Sequence, residues 1–317
     1  MKAVTLNAYG APEVLEVTDQ PMPVPAPQEV IVKVQAVGVN YADLLIRQGI
    51  YPFIAQFPAI LSGEVSGIIT ETGSGVQHLK AGQRVTGYAP AGYAAYAAIP
   101  AAALTVLPDQ VSPAAGLLTH ALTARHLLEQ TSGYRSLVIT AAAGGVGSKA
   151  VQLAKIKGVP QIIALTGSAA KQDYVRSLGA THAINYRESD WLQQLTAITG
   201  PQGADLVLDA TGGDTPAQLV SALAVNGTLI VYGNSSGQPT AVNPQELIMK
   251  SARIIGSTVY NILPEQRRQW SQELLELIAA GQLQSQINSY PFTDVIRAHS
   301  DIEGRRNTGR TVLSFPD

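Results

Sequence analysis

The sequence predicts an α/β protein in which a β-rich domain precedes a doubly wound domain built on a parallel sheet, and three observations carry that expectation. Up to Val111 the apolar residues come in short β-rich runs cut by Gly and Pro. Beyond it, helix-compatible stretches alternate with apolar runs, which is the pattern of βαβ units. Between one such run and one such stretch lies a glycine-rich turn, Ala141-Ala142-Ala143-Gly144-Gly145-Val146-Gly147.

Taken in order, Ala3 to Leu6, Glu29 to Val37, Glu64 to Thr72 and Arg84 to Tyr88 are the strands of a small barrel-like domain. Pro21-Met22-Pro23-Val24-Pro25-Ala26-Pro27 can be neither helix nor central strand, because every second residue lacks an amide hydrogen and fixes φ, so it is a stiff surface connection. Tyr93 and Tyr96 fall in an alanine-rich strand. In the second region the buried strands are Ser136 to Thr140, Gln161 to Leu165, Ala183 to Asn185, Asp205 to Asp209, Thr228 to Tyr232 and finally Arg253 to Thr258. The helical spacers carry stop signals at Gly158, Gly179 and Gly200-Pro201. Pro264 and an amphipathic helix over Gln266 to Ala280 lead to short C-terminal strands that are expected to return to the first domain. The expected division is therefore 1–112 with 261–317, and 113–260.

At 317 residues, 46% hydrophobic and 14% charged, the chain is long enough for two cored domains. Its net charge of −2 and lack of dense Lys/Arg runs argue against nucleic acid as a partner. The start, Met1 to Leu6, alternates like a strand rather than a signal peptide, and no apolar run is long enough to cross a bilayer, so a cytoplasmic location is expected and no membrane partner. The absence of cysteine excludes disulfides, thiol catalysis and thiolate zinc sites, and the five histidines stand at no metal-ligand spacing.

The strand ending at Thr140 feeds the glycine turn and then a helix-compatible stretch, the context in which a glycine motif acquires meaning. Ala141 takes the tight-turn position, Gly144 lets the backbone approach a pyrophosphate, and Gly147 lets helix and strand lie close; Gly145 and Val146 complete the turn. The helix N-terminus offers amide hydrogens and a positive dipole end to the phosphates, which makes the domain a Rossmann fold. An NAD enzyme places a carboxylate about 20 residues further on for the ribose hydroxyls. Here Leu165-Thr166-Gly167-Ser168 has none. Ser168, Lys171 and Tyr186 instead form a set able to bind a 2′-phosphate through hydroxyls and a point charge, which favours NADPH over NADH. Lys171 taken alone also fits a solvated helix cation.

The chain resembles the zinc-free quinone oxidoreductases of the medium-chain dehydrogenase/reductase superfamily, the zeta-crystallin-like enzymes, over essentially its whole length. The residues that carry the resemblance are Asn40-Tyr41-Ala42-Asp43 with Arg47, Gly49 and Tyr51, Gly63 to Gly67, Leu122-Thr123-Ala124, Ala141 to Gly147, Lys171 with Asn185-Tyr186-Arg187, Gly203 to Gly212, and Tyr232 to Gly237. It implies a GroES-like substrate domain, a Rossmann cofactor domain with a cleft between them, and hydride transfer from NADPH to a quinone or another conjugated carbonyl compound. It also implies a homodimer formed by cofactor-domain edge strands, for which Ile254-Ile255-Gly256-Ser257 would serve. Zinc-dependent relatives carry Cys where this chain has Asn40 and His where it has Gly63, so no catalytic metal is expected, and an already electron-poor acceptor fits best.

The resemblance puts Asn40 and Tyr51 in the substrate site, where either could donate a hydrogen bond to a carbonyl oxygen gaining charge. Asn40 also fits a helix cap, and Tyr51 also fits a packed loop. Where some relatives have tyrosine this chain has Leu45, and between Tyr93 and Tyr96 it has Ala95 where relatives carry an acid. Thr123 has a counterpart beside the nicotinamide, although an internal helix hydroxyl fits as well. Gly212, Gly233, Asn234 and Ser235 stand at the carboxyl ends of two strands, where open α/β sheets bind ligands. Asn307 to Arg310 resembles a segment that closes over the cofactor. Two readings compete with quinone reduction: reduction of the carbon–carbon double bond of enones or alkenals, and a structural or sensory NADPH-binding protein with little catalysis.

Overall fold

The computed structural model describes residues 1–51 and 56–316. Two compact units emerge, one formed by Met1–Thr119 and Arg268–Asp317, the other by His120–Arg267. Sequence reading put these junctions at 112/113 and 260/261. The first lies later because Leu117 and Ala114 pack on Ala36 and Val312, so that the strands of the first unit hold this segment.

The first unit begins with β1 (Lys2–Leu6), β2 (Leu15–Asp19), β3 (Glu29–Val39), α1 (Tyr41–Arg47), β4 (Ala59–Ile60), β5 (Gly63–Thr72), β6 (Arg84–Ala89), β7 (Tyr96–Pro100) and β8 (Leu104–Val106). The connection through Pro21 to Pro27 has neither helix nor strand. Tyr93 precedes β7 rather than lying in a strand; it is fully buried, and its carbonyl accepts the Val4 amide at 2.8 Å.

The second unit follows with α2 (Thr119–Glu129), β9 (Ser136–Ile139), α3 (Gly145–Ile156), β10 (Gln161–Thr166), α4 (Ala169–Leu178), β11 (His182–Asn185), α5 (Trp191–Thr199), β12 (Ala204–Asp209), α6 (Asp214–Ser221), β13 (Leu223–Val231), α7 (Pro244–Lys250) and β14 (Arg253–Gly256). The chain closes with α8 (Pro264–Ala279), β15 (Ile287–Pro291), α9 (Val295–Glu303) and β16 (Arg310–Ser314).

In the first unit, β15 and β16 extend a sheet of order β15-β16-β3-β5-β6-β8, with β7 also on β3, while β2-β1-β4 form a second, three-stranded sheet. The long β3 pairs with three strands, β5, β7 and β16, and its register against β5 shifts between Ile31 and Val32 and again between Val34 and Ala36, bulges that bend it between the stretch on β7 and the stretch on β16. Val4, Val32, Val37, Leu44, Val65, Ile99 and Leu313 make the core between these sheets and α1.

The sheet of the second unit has the order β11-β10-β9-β12-β13-β14, with every neighbouring pair parallel. Strand order therefore reverses between β9 and β12, and the crevice outside the carboxyl ends of the strands at such a switch point is where doubly wound sheets bind ligands. Val138, Ile163, Leu165, Val207 and Leu229 are inaccessible to solvent, as parallel strands covered on both faces require. Among the described residues, no helix is long and apolar enough to cross a membrane.

Candidate functional site

The glycine turn joins β9 to α3 at the switch point. Ala141 has φ 47°, a left-handed conformation that disfavours an L side chain by about 1–2 kcal/mol, at the position where the tight turn is needed. Its carbonyl accepts the Gly144 amide at 2.9 Å, and Gly144 caps α3 from an extended conformation. A Cβ on Gly144 would meet only the Ala141 oxygen, at 3.2 Å. A Cβ on Gly147 would lie 2.5 Å from that oxygen and 2.6 Å from Ala142 Cα, so only glycine lets the first turn of α3 rest on the strand exit. The α3 amides beyond Gly144, including those of Gly145 and Val146, supply the donors and dipole end suited to a pyrophosphate.

Strand β10 ends at Thr166, and no carboxylate follows in Gly167-Ser168. Ser168 caps α4, its hydroxyl accepting the Lys171 amide at 3.4 Å. Tyr186 follows β11, and a Cβ on Gly167 would lie 3.0 Å from the Tyr186 hydroxyl oxygen and 3.5 Å from Arg187 Nε. A hydroxyl and an exposed guanidinium thus gather at Gly167, with Lys171 in the first turn of α4. Arg187 lies outside the ligand set expected from sequence, and the Asn185-Tyr186-Arg187 run is the local signal that points to it.

At the far end of the crevice, Gly212 has φ 67°, and a Cβ there would fall 2.0 Å from Asn234 Oδ1, so the loop after β12 and the loop after β13 touch. The Ser235 amide donates to Ala210 O at 3.0 Å, and a Cβ on Gly233 would meet the same oxygen at 3.0 Å. Gly212, Gly233, Asn234 and Ser235 are thereby gathered in one place. Thr123 is half-buried on α2.

This arrangement matches known proteins over its full length. Residues 145–280 fit the family model described as zinc-binding dehydrogenase, and 26–109 fit the alcohol dehydrogenase GroES-like domain. Quinone oxidoreductase 1 of Escherichia coli is 35% identical, with 98% of each chain covered. The chain belongs to the quinone oxidoreductase family of medium-chain dehydrogenases/reductases. The structure of E. coli quinone oxidoreductase complexed with NADPH superposes with a TM-score of 0.90 at 33% identity, covering 99% of this chain and 100% of that one. A structure of an NAD-dependent alcohol dehydrogenase gives the same TM-score of 0.90 at 29% identity, covering 99% of each chain. Fold likeness therefore does not choose the cofactor, and the residues after β10 and β11 must. The zinc-binding description of the matched model also stands beside a chain that contains no cysteine.

In the first unit of this family member, Asn40 is the N-cap of α1 and is only 8% exposed. Its backbone amide donates to Asp43 Oδ2 at 2.8 Å and its Nδ2 to Gly38 O at 3.4 Å, while its Oδ1 has no hydrogen-bond partner among the described residues. Asn40 thus caps α1 while its one unpartnered carboxamide atom, Oδ1, is an acceptor. Tyr51 is 38% exposed, and its backbone amide donates to Leu45 O at 3.1 Å.

Behind Asn40 lies a buried polar network that the sequence did not reveal. Tyr93 donates to Asp43 Oδ2 at 3.0 Å, and His299 Nε2 stands 3.4 Å from the Tyr93 hydroxyl. Burial pushes the Asp43 carboxyl up to about 7, against the pull of the Asn40 amide and Tyr93 hydroxyl. Burial, with Arg47 nearby, pulls His299 down to about 3. The signs follow from linkage. His299 contributes stability above its ordinary value near 6.5 that is lost as pH falls toward 3, whereas Asp43 contributes stability near pH 4 that is lost as pH rises toward 7. Each slope reaches about 1.4 kcal/mol per pH unit, and in the overlapping window they oppose. In urea titrations between about pH 5 and about pH 7, His299→Asn should therefore gain on the wild type as pH falls, and Asp43→Asn should gain as pH rises. Profiles parallel to the wild type would contradict both assignments.

Arg310, which resemblance placed in a segment closing over the cofactor, is 2% exposed and paired with Glu64 inside the first unit. It also donates to Leu117 O at 2.8 Å, while Glu64 Oε1 accepts the Thr119 amide at 2.6 Å. Its partner is hundreds of residues away in sequence, so no local signal announces the pair.

Proposed function

We propose that this protein is an NADPH-dependent quinone oxidoreductase. The observation that supports it most is the exit of β10, where no carboxylate follows Thr166 and the Tyr186 hydroxyl and Arg187 guanidinium gather at Gly167, close to Ser168 and Lys171. Such a set suits a ribose 2′-phosphate and offers an unmodified ribose no carboxylate acceptor. The relatives named quinone oxidoreductase and the E. coli structure with NADPH agree with this reading.

The residues fit the dinucleotide at each of its parts. Ala141 to Gly147 would hold the pyrophosphate against the α3 amides, and Gly212, Gly233, Asn234, Ser235 and Thr123 would flank the nicotinamide. When bound, the cofactor supplies the hydride. Asn40 would donate the Nδ2 hydrogen not directed at Gly38 O to the acceptor oxygen as charge builds there, with Tyr51 as a second donor, and the Asp43 carboxyl group holds Asn40 in place by accepting its backbone amide. The acceptor in this reading is a quinone or a comparably activated carbonyl compound, whose electron-poor ring or conjugated system takes hydride with only hydrogen bonds from Asn40 and Tyr51 at the oxygen.

The deciding experiment follows the loss of NADPH absorbance with a small para-quinone and, separately, with an enone, each against NADH. Quinone turnover supports the proposal. Turnover of the enone alone moves the assignment to double-bond reduction, and tight NADPH binding without turnover makes the protein a cofactor-binding one. Lys171→Ala should raise the KM for NADPH about tenfold and leave that for NADH unchanged, the loss of one charge-assisted contact. Equal changes for both cofactors would remove Lys171 from the 2′-phosphate site.

The proposal includes a homodimer. Strand β14 ends the sheet of the second unit, and Ile254 on it is 37% exposed, with Ile248 68%, Met249 73% and Leu263 72% exposed in neighbouring segments. An open edge beside apolar surface suits pairing with the same edge of a second copy. Ile254→Lys, which sets like charges near one another across a two-fold, should shift sedimentation from dimer to monomer.

A further inference from the structure

The two strands that flank the switch point are tied to each other by side chains that lie outside the proposed cofactor contacts. Thr140, directly after β9, is 1% exposed, and Asp209, the last residue of β12, is fully buried. The Thr140 hydroxyl donates to Asp209 Oδ1 at 2.8 Å and accepts the Ala210 amide at 2.9 Å. Asp209 Oδ1 also accepts the Thr211 hydroxyl at 2.6 Å and the Thr211 amide at 3.2 Å, and Oδ2 accepts the Gly212 amide at 3.0 Å.

A carboxylate removed from water is tolerated only when its lone pairs are filled, and here two hydroxyls and two amides fill them. The consequence is geometric. The oxygens of Asp209 fold Ala210 to Gly212 back over the strand end, and Gly212 then meets Asn234. On the other side, Thr140 is the residue from which the Ala141 turn departs, and its own amide is held by Leu208 O at 3.0 Å. One hydroxyl thus joins the turn suited to phosphates and the loop suited to the nicotinamide end.

We infer that Thr140 and Asp209 form a positioning pair that holds the phosphate turn and the Gly212 loop in register, and so sets dinucleotide affinity without touching the dinucleotide. This inference rests on the cofactor reading of the preceding section. The side chains of the pair bond to each other and to Ala210, Thr211 and Gly212, and not to Gly167, Tyr186 or Arg187, so the pair acts on what NADPH and NADH have in common.

The test compares Thr140→Val, Thr140→Ser and Asp209→Asn in the full-length protein by titration with NADPH and with NADH, with melting temperatures recorded alongside. Valine keeps the shape but leaves the Ala210 amide unpaired; serine keeps the hydroxyl; asparagine turns an acceptor into a donor facing donors. The expected result is a loss of affinity of about tenfold or more for Thr140→Val and Asp209→Asn, equal for the two cofactors, and rescue to within about twofold by Thr140→Ser. Wild-type affinity in folded Thr140→Val would overturn the inference, as would a lowered melting temperature with unchanged affinity. A loss confined to NADPH would overturn it too, since that would assign the effect to the 2′-phosphate. If Asp209→Asn does not fold, the valine and serine variants decide alone. A wild type that binds neither dinucleotide would sink the cofactor reading itself and the inference with it, an outcome distinct from intact wild-type binding that Thr140→Val fails to disturb.

Discussion

Replacing Gly147 by alanine should abolish measurable dinucleotide binding and destabilise the second unit by about 1–3 kcal/mol, the range for forcing an extra methyl into a packed interior. The added Cβ would stand 2.5 Å from Ala141 O and 2.6 Å from Ala142 Cα, and both atoms are backbone, so no side chain can turn aside. Relief requires α3 to lift from the end of β9, which moves the α3 amides away from the place where phosphates would sit. Gly144→Ala is the control. Its Cβ meets only Ala141 O at 3.2 Å, so the fold should tolerate it while the methyl obstructs phosphate approach. Titration with NADPH and thermal melts separate the two: Gly147→Ala should lose in both, Gly144→Ala chiefly in binding. A Gly147→Ala protein with wild-type affinity and melting temperature would refute the close-approach argument.

The second large effect belongs to Arg310→Ala. Arg310 and Glu64 are 2% and 3% exposed and neutralise each other inside the first unit. Removing the guanidinium strands a buried carboxylate and deprives Leu117 O of its donor, so a loss of about 3–5 kcal/mol is expected in urea denaturation. The double variant Glu64→Gln with Arg310→Met should recover part of that loss. The amide oxygen can still accept from the Thr119 amide, and no charge is left uncompensated. Additive losses in the double variant would show that the penalty is not the buried charge.

Much of the second unit was legible in the sequence because its signals are local. Val138, Ile163, Val207 and Leu229 stand in short apolar runs bounded by Gly or by caps, and such runs identify covered parallel strands without knowledge of what covers them. The turn from Ala141 to Gly147 was legible for the same reason, since strand, turn and helix follow one another directly. The first unit was less so. Glu29 to Val39 reads as one strand, but its register shifts and its several partners depend on where β5, β7 and β16 come to lie. Alanine-rich composition predicts a strand at Tyr93, whereas its burial against Asp43 and His299 fixes it in a non-strand segment.

The sequence by itself determined the order of elements, the phosphate-suited turn, the absence of a carboxylate after β10 and the absence of cysteine ligands, all of which are properties of neighbouring residues or of composition. Tertiary structure alone decided which distant polar groups meet: Glu64 with Arg310, Asp43 with Tyr93 and His299, and Asp209 with Thr140. The physical reason is that propensity and periodicity act over a few residues, while a buried charge is tolerable only beside a partner that sheet order and register bring to it from elsewhere in the chain.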